Sequence, residues 1–405
     1  MNKYLITLTP ISKFYFGGET TFKRVSREED EKKKQNKSIP FYDELKKFDN
    51  QFGSYVVKSN LFPQQTSLLG MLRFLILSNN KTIFQNNKII KGNDKTVEKE
   101  IGKESFRFSP TDTKKQEFGR INSIFPCFIQ RKTANSEDWE DIYPTPMDHQ
   151  LDVSFSEKKI LTIHNKAKYN TSKNKDVDYN PKDGLNLCYL GNKTMLMEED
   201  LFQEDIRIGI DRDFKGKVKD AAYYKQISYK FKERYKSNNN KEVDQSLRFA
   251  FYAELDLNNT HNIKEKKHVI SLGGDNSRFI LEIKDINNTE PELPILYNSG
   301  LFNNCFGKII LLSETYLEKQ DLQFSFFHIS DIVPFRFLTS NINVTNYYRF
   351  TGENKLNRSD KYNLYKRGSV FFFETKEKLQ AFETALKKHL GLTQIGYNQF
   401  KTIIK

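Results

Sequence analysis

The C-terminal end of this chain predicts a complete supersecondary unit. Residues 368–373 read Gly-Ser-Val-Phe-Phe-Phe, which is typical of a buried strand, and Thr375 is a good N-cap for a following helix. Gly391 would end that helix, and the loop 392–398 leads into a last strand around 400–404. The helix would bury one apolar face, formed by Leu379, Phe382, Leu386 and Leu390. Strand, helix, glycine loop and strand make up the second half of a ferredoxin-like unit.

The N-terminal end has a related order of elements. Residues 1–9 alternate between polar and apolar side chains, which predicts a strand, and leucines recur at helical spacing over 64–78. The apolar face of the strand would be formed by Tyr4, Ile6 and Leu8. The apolar stripe of the helix would be formed by Leu68, Leu72 and Leu75 with Leu69, Met71 and Ile76.

Length and pattern together predict an α+β protein of two ferredoxin-like, RRM-like domains with loop insertions. A chain of 405 residues can build two cores, and we place the domains at 1–212 and 213–405. The polar stretches 23–50, 79–105 and 166–183 are expected to be loops or surface insertions. Further strands are expected at 224–232, 247–257 and 308–312, and the segments 268–275 and 279–283 are expected to form two strands joined by a glycine turn.

Composition favours a polyanionic partner and a reducing compartment. The 65 Lys and Arg exceed the 52 Asp and Glu by 13 charges, which favours nucleic acid, and the 14% aromatic residues exclude wholesale disorder. Cys127, Cys188 and Cys305 have neither disulfide nor metal-ligand spacing. Because no apolar run is long enough to span a membrane, we expect a cytoplasmic protein without a membrane partner.

The segment 62–73 can bring a helix N-terminus to a phosphate. Pro63 favours a helix start, and Thr66 or Ser67 can cap the first turn. Thr66, Gly70 and Arg73 share a face that combines a polar first turn, a residue without a side chain and a guanidinium. Such a face can bind a phosphate, although an ordinary core helix with a solvated Arg73 fits the spacing equally well.

Six segments in order resemble one family. They are 16–19 (Phe-Gly-Gly-Glu), 58–73, 207–212 (Arg-Ile-Gly-Ile-Asp-Arg), 272–275 (Leu-Gly-Gly-Asp), 367–370 (Arg-Gly-Ser-Val) and the terminal glycine loop. Together they resemble the RAMP proteins of CRISPR systems, specifically the third subunit of type III-B Cmr effector complexes. The terminal loop has only Gly391 and Gly396, where RAMP loops are often richer in glycine.

The resemblance implies a role in RNA binding. It implies a subunit that caps one end of the complex, holds the repeat-derived 5′ tag of the CRISPR RNA, and docks on the large polymerase-like subunit. The backbone subunits would be further partners, and target RNA would be contacted indirectly. Two alternatives remain open: a RAMP endoribonuclease that processes precursor CRISPR RNA, and a scaffold that contacts only proteins.

The candidate RNA-binding residues follow from these segments and from the physics of RNA contact. An RNA site needs cations for phosphates, glycines that let backbone donors approach, and aromatic faces for stacking. Phe16 and Tyr397 are the stacking candidates, although each fits core packing as well. The glycine candidates are Gly17, Gly18, Gly368 and Gly396. The phosphate candidates are Lys58, Arg73, Arg207, Arg212, Lys215, Lys217 and Arg367.

The sequence contains no catalytic constellation, so we expect a protein that is not an enzyme and needs no cofactor or metal. The six histidines form no motif; we expect His328 in the core and His389 in the last turn of the C-terminal helix. Residues 273–276 (Gly-Gly-Asp-Asn) are similar to the metal-binding turn of polymerase-like cyclases. Two-metal chemistry needs clustered carboxylates, so we interpret Asp275 as a hairpin-turn residue.

Overall fold

The computed structural model describes most of the chain. The described residues are 2–18, 20–24, 52–103, 105–134, 136–152, 160–163, 188–191, 195–212, 218–236, 241–257, 263–286, 293, 305–339 and 357–404. The predicted insertion 166–183 lies outside them, and so does 23–50 except for Lys23 and Arg24, which belong to a strand. In the part that is described, no helix is long and apolar enough to cross a membrane.

Helices are few and short. They are α1 (Gln65–Asn79), α2 (Asp94–Ile101), α3 (Glu198–Leu201), α4 (Lys376–Lys387) and α5 (Leu390–Gln394), together with a 3₁₀ helix (Lys319–Phe324).

Strands dominate the fold. In chain order they are β1 (Asn2–Pro10), β2 (Thr20–Arg24), β3 (Phe52–Lys58), β4 (Phe84–Gln85), β5 (Lys88–Ile89), β6 (Ile121–Ile124), β7 (Phe128–Thr133), β8 (Glu140–Pro144), β9 (His149–Asp152), β10 (Ile160–Ile163), β11 (Cys188–Leu190), β12 (Met195–Met197), β13 (Phe202–Arg212), β14 (Val218–Phe231), β15 (Arg234–Lys236), β16 (Glu242–Leu255), β17 (His268–Ser271), β18 (Arg278–Asp285), β19 (Gly307–Leu311), β20 (Phe327–Ile329), β21 (Ile332–Phe335), β22 (Leu338–Thr339), β23 (Asn357–Arg358), β24 (Tyr362–Tyr365), β25 (Val370–Phe373) and β26 (Phe400–Ile404).

The largest sheet is built around the first strand. Its order is β12-β11-β8-β7-β16-β1-β18-β17, and β6 and β15 also pair with β16. β1 pairs antiparallel with β16 on one side and with β18 on the other. The alternation predicted for β1 is confirmed because Tyr4, Ile6 and Leu8 are fully buried, in the same core as the leucines of α1.

The C-terminal unit forms a second sheet in the order β20-β25-β19-β26, with all pairs antiparallel. α4 covers one face of this sheet and packs its apolar side chains on the phenylalanines of β25. Thr375 accepts a hydrogen bond from the Lys378 N–H, so the predicted N-cap is confirmed. The helix ends at Lys387, however, and Gly391 lies inside α5, so the prediction that Gly391 ends the helix is wrong.

A third sheet, in the order β13-β14-β3-β2, carries three of the seven predicted phosphate-binding cations, Lys58, Arg207 and Arg212. β13 and β14 form a long antiparallel hairpin, and β14 pairs parallel with β3. The predicted domain boundary at 212/213 falls between the two paired strands of this hairpin and stays a prediction. The α+β class is confirmed by the mixture of sheets and helices.

The region 79–105 differs from the prediction of a loop. It contains the β4–β5 hairpin and α2, whose buried side is formed by Val97, Glu100 and Ile101. Asn86 and Asn87 adopt positive φ at the two-residue turn of the hairpin, as a tight hairpin requires. Only two apolar residues in α2 contact the core, so the sequence shows little helical periodicity there.

Candidate nucleic-acid interface

The glycines after β1 approach the end of β3. Phe16 and Asn60 pair as an isolated bridge, and the Asn60 Nδ2 donates to the Gly17 carbonyl oxygen at 2.6 Å. A Cβ on Gly18 would lie 1.8 Å from the Lys58 carbonyl oxygen, so only glycine fits there. Gly17 is exposed, and no atom lies within 4 Å of its Cβ position. Its backbone is therefore accessible to a partner.

Lys58 is the cation at the end of β3. Its side chain is 53% exposed, and Nζ lies 3.1 Å from Glu204 Oε1 and 5.7 Å from the centre of the Tyr229 ring. The contacts with Tyr229 and Glu204 raise the pKa of Lys58, so it stays charged at neutral pH. An exposed ion pair of this kind contributes at most about 1 kcal/mol, so a phosphate can replace the carboxylate.

Arg207 projects from the middle of β13. It is 57% exposed, and Nη1 lies 3.4 Å from Asp275 Oδ2 on the turn between β17 and β18. Nearby, Lys13 Nζ is 2.8 Å from Asp205 Oδ1, and this cation lowers the pKa of Asp205. β13 ends at Arg212, whereas Lys215 and Lys217 lie outside the described residues.

The turn at 273–276 is a hairpin turn, as predicted. Gly273, Asp275 and Asn276 all have positive φ, and a Cβ on Gly273 would lie 2.3 Å from the Tyr15 carbonyl oxygen. Among the described residues, no group of three or more His, Cys, Asp or Glu side chains is arranged to hold a metal ion. Asp275 therefore serves the turn and faces Arg207.

The start of α1 is closed by the C-terminal loop. The N-cap is Gln64 and makes no side-chain capping bond, so the prediction that Thr66 or Ser67 caps the helix is wrong. The fully buried Gln65 instead donates from Nε2 to the carbonyl oxygens of Ile395 and Phe125, each at 3.0 Å. Two segments predicted to touch RNA thus cover each other.

Gly396 and Tyr397 belong to this closure. Gly396 has φ +92°, and a Cβ there would lie 2.0 Å from Gln65 Nε2. Tyr397 is buried beside the first turn of α1, and its hydroxyl has no hydrogen-bond partner. Burial is the main cause that raises its pKa. Tyr397 therefore presents no face to a base in this structure, contrary to the stacking prediction.

Arg367 is inside the protein rather than on an RNA-facing surface. It donates from Nε and Nη2 to the two carboxylate oxygens of Glu314 at 2.7 and 2.8 Å, and from Nη1 to the Cys127 carbonyl oxygen at 2.7 Å. Its guanidinium also lies 4.4 Å from the centre of the Phe62 ring. Only 6% of the residue is exposed, which leaves no donor for a phosphate.

Two further candidates are buried. Phe16 is 3% exposed and stacks on Phe279 with ring centres 5.9 Å apart, so its ring packs in the core. Gly368 has φ +86°; its N–H donates to Leu311 and its carbonyl accepts from Met147. Both backbone groups of Gly368 are used, so neither is left for RNA.

Gly70 and Arg73 lie on the outer part of α1. Gly70 is exposed with no atom within 4 Å of its Cβ position. Arg73 is half-buried: Nη2 donates to the Gly102 carbonyl oxygen at 3.3 Å, and its guanidinium lies 6.0 Å from the centre of the Phe118 ring. Burial lowers the pKa of Arg73 to about 10. The shared face predicted for Gly70 and Arg73 is open at Gly70 and partly covered at Arg73.

The described histidines are dispersed and have structural contacts. His389 is the N-cap of α5 rather than part of α4, and its Nδ1 lies 3.0 Å from the Asp112 carbonyl oxygen. His328, expected in the core, is exposed on β20 and stacks on Phe371. The Nε2 of His268 lies 2.9 Å from the Ile263 carbonyl oxygen.

Sequence reasoning missed three residues that shape this region. Glu314 neutralises Arg367, Gln65 ties α1 to the terminal loop, and Asn60 fixes Gly17. Glu314 and Gln65 act across 53 and 330 residues, so no local pattern marks them. Asn60 acts across 43 residues, so no local pattern marks this contact either.

Two chains in solved structures match this chain over nearly its whole length. One chain in the cryo-EM structure of the Type III-B Cmr-beta bound to cognate target RNA is 15% identical with a TM-score of 0.42, covering 100% of this chain and 98% of that one. A chain in the structure of the same assembly with target RNA and AMPPnP, state 1, is 15% identical with a TM-score of 0.39, covering 98% and 95%. No curated protein matches this chain.

A family model gives the decisive comparison. The model of the CRISPR-associated protein family Cas_Cmr3 matches residues 41–404. The match includes β3, the start of α1, the β13–β14 hairpin and the whole C-terminal unit. This chain therefore belongs to the Cas_Cmr3 family of CRISPR-associated proteins.

Proposed function

We propose that this protein is a non-catalytic RNA-binding subunit of a type III-B Cmr interference complex. In that complex it holds the 5′ tag of the CRISPR RNA and docks on the large polymerase-like subunit. The observation that carries the proposal is the membership of the Cas_Cmr3 family across most of the chain. The basic surplus of the sequence agrees with an RNA partner.

The tag surface, as we define it, is formed by Gly17, Gly18, Lys58, Asn60 and Arg207. Its cations are exposed and held only by single carboxylates, and its glycine backbone is open at Gly17. A phosphodiester can accept hydrogen bonds from these cations and from backbone N–H groups without burying any carboxylate. Arg212, the last residue of β13, and Lys215 and Lys217, which lie outside the described residues, stay predicted RNA contacts.

The buried candidates have a supporting role in this proposal. Gly396 and Tyr397 pack the C-terminal loop against α1, whereas Arg367 and Gly368 tie the segment before β25 to the core. Phe16 anchors the loop that carries Gly17 and Gly18 by packing in the aromatic core. A rigid loop loses less conformational entropy on binding, so the anchor favours affinity without touching RNA.

We further propose that the largest sheet and the C-terminal sheet each contain one ferredoxin-like unit. The segment β18-β1-β16-β7 and the sheet β26-β19-β25-β20 have the same strand order when the strands of each unit are numbered along the chain. This order is 4-1-3-2, with all neighbours antiparallel, as in a split βαβ arrangement. On this reading the boundary lies within 286–306, after β18.

Crosslinking tests the function. The protein is co-purified with its complex on CRISPR RNA that carries a photoreactive base in its 5′ tag. We expect crosslinked peptides from 16–18, 58–60 or 207–217. Crosslinks restricted to the guide would contradict the tag-holding role. Metal-independent cleavage of repeat RNA, lost on replacement of one His or Tyr, would instead support a processing endoribonuclease.

A further inference from the structure

A stripe of lysines runs along the outer side of α2. Lys91, Lys95, Lys99 and Lys103 are spaced four residues apart and are all exposed, whereas Val97, Glu100 and Ile101 face the interior. Residues four apart lie on one face of a helix, so Lys95 and Lys99 are neighbours on the outer face of α2. Lys91 lies just before the N-cap Asn93 and Lys103 just after the C-cap Gly102, so these two lysines flank the ends of the helix. In the described part of the chain, none of the four forms an ion pair.

The stripe contrasts with the cations of the tag surface. Lys58 and Arg207 each have a carboxylate within 3.4 Å. The acids of α2 are less exposed than its lysines: Glu100 is buried against Arg120, and Asp94 and Glu98 are half-buried. The charged side chains that are most exposed on and beside α2 are therefore lysines, and none of them forms an ion pair in the described residues.

Arg73 lies where α2 ends. Its Nη2 donates to Gly102, the residue before Lys103, whereas its Nε is buried and has no hydrogen-bond partner. No carboxylate forms an ion pair with Arg73 in the described residues. A half-buried guanidinium with one long hydrogen bond is under-satisfied, because this group can donate five. Such a group is arranged to receive an anion.

The surface beside Arg73 is accessible. One turn before it on α1, Gly70 is exposed and has open space at its Cβ position. Phe74, the next residue, is 46% exposed and contacts Phe84 edge to face with ring centres 5.7 Å apart. An open helix face, an accessible aromatic ring and a line of cations are the elements of a single-stranded RNA surface.

We propose that the lysine stripe and Arg73 form a second RNA contact, which binds the phosphodiester backbone of the CRISPR RNA outside its 5′ tag without reading sequence. The lysines contribute mainly by releasing counterions, whereas Arg73 gains the charge-assisted hydrogen bonds that it lacks in the free protein. The identity of the RNA rests on the proposed function. The attraction of this cationic surface for phosphodiesters is independent of the proposed function.

The test compares two charge-matched variants of the full chain. One replaces Lys91, Lys95, Lys99 and Lys103 with Gln. The control replaces four exposed lysines that form no ion pair in the described structure and lie outside α1, α2 and the tag surface: Lys266, Lys319, Lys361 and Lys376. Binding is measured by fluorescence anisotropy over a series of salt concentrations. One labelled RNA carries the repeat-derived 5′ tag, and the other has the same length and an unrelated sequence.

We expect the stripe variant to flatten the salt dependence for both RNAs. With a slope of about 0.7 per phosphate contact, four lost contacts lower the slope by about 2.8, which corresponds to roughly 600-fold weaker binding at 0.1 M salt. The control should remain close to wild type. An equal loss of RNA affinity in both variants, or no loss in either, would overturn the inference. Unchanged RNA binding with lost assembly of the complex would also overturn it, because the stripe would then serve an acidic protein surface.

Arg73→Met separates binding from folding. If Arg73 is arranged for a phosphate, Met should keep the midpoint of urea unfolding or raise it, while RNA affinity falls about fivefold at 0.1 M salt. A lower midpoint with unchanged affinity would show a structural role for Arg73 and contradict the inference. Failure of the tag proposal is distinguishable: the tag-bearing RNA would then lose its preference and its tag crosslinks, while the stripe effect would persist on both RNAs.

Discussion

Gln65 Nε2 donates a hydrogen bond to the carbonyl oxygen of Ile395 at 3.0 Å, across 330 residues of sequence. The bond joins the first turn of α1 to the loop before the last strand. Because Gln65 is fully buried, the loop cannot leave α1 without exposing unpaired polar groups. The C-terminal glycine loop is therefore part of the framework that holds α1.

Gly396→Ala should destabilise the fold by roughly 1–3 kcal/mol, because the new methyl group would meet Gln65 Nε2 and the backbone has positive φ. Urea unfolding of the full chain measures the change. Gly17→Ala is the matched control, since its Cβ position is open and its φ is not positive. Equal effects of the two substitutions would contradict the packing described for Gly396.

Arg367→Met should lower the free energy of unfolding by roughly 3–5 kcal/mol, because it leaves the Glu314 carboxylate without its partner. Glu314→Met should cost a similar amount for the reciprocal reason. The double variant should cost less than the sum of the two, since it leaves neither charge unpaired. Additive costs in urea unfolding would show that the two side chains do not act as a pair.

Stability should fall in acid through Glu314. Burial raises the pKa of this carboxyl, but the Arg367 guanidinium more than offsets burial and holds the pKa below its ordinary value. A depressed folded-state pKa contributes stability that is present above the unfolded value, about 4.3, and is lost as the pH falls below it. Unfolding free energies between pH 7 and pH 3 should decline more steeply for wild type than for Glu314→Gln.

Arg207→Ala should weaken RNA binding and lower the salt slope by about 0.7, the value for one phosphate contact on a single strand. Arg234→Ala is the control, because Arg234 on β15 is also exposed and also paired with carboxylates, Asp244 at 2.8 Å and Glu242 at 3.9 Å. Both variants lose one positive charge, so the comparison separates the effect of the position of Arg207 from the effect of net charge. A slope that changes equally in both variants would remove Arg207 from the tag surface.

The variants Gly70→Ala and Gly70→Leu should both fold, because nothing lies near the Cβ position of Gly70. Gly70→Ala should raise the free energy of unfolding by about 1 kcal/mol, because Ala has the higher helix propensity. RNA binding distinguishes them. If RNA lies close against this face of α1, Leu should weaken binding more than Ala does. Equal affinities would show that the face stays open to solvent in the complex.

Periodicity predicted three parts of the fold correctly. The strand with Tyr4, Ile6 and Leu8, the helix 65–79 and the strand–helix–strand unit at the C-terminus all follow from apolar spacing that the core imposes. α2 was missed because it contributes only Val97 and Ile101 as buried apolar residues, and its lysines read as a polar loop.

The candidate site was predictable in part. The exposure of Lys58, Arg207 and Gly17 agrees with what the motifs suggested: Lys58 ends β3, Gly17 occupies an open loop, and Arg207 points outward from the middle of β13. The burial of Arg367 and Tyr397 depends on partners far away in sequence, and residue type alone does not distinguish a phosphate-binding Arg from a paired one.

The position of β1 also constrains how the protein is made. Its two neighbours in the sheet, β16 and β18, begin at Glu242 and Arg278. During synthesis the first strand of the nascent chain must wait until most of the polypeptide has emerged before either edge is paired. An N-terminal fragment ending at residue 212 would expose both edges, so such fragments should aggregate rather than fold.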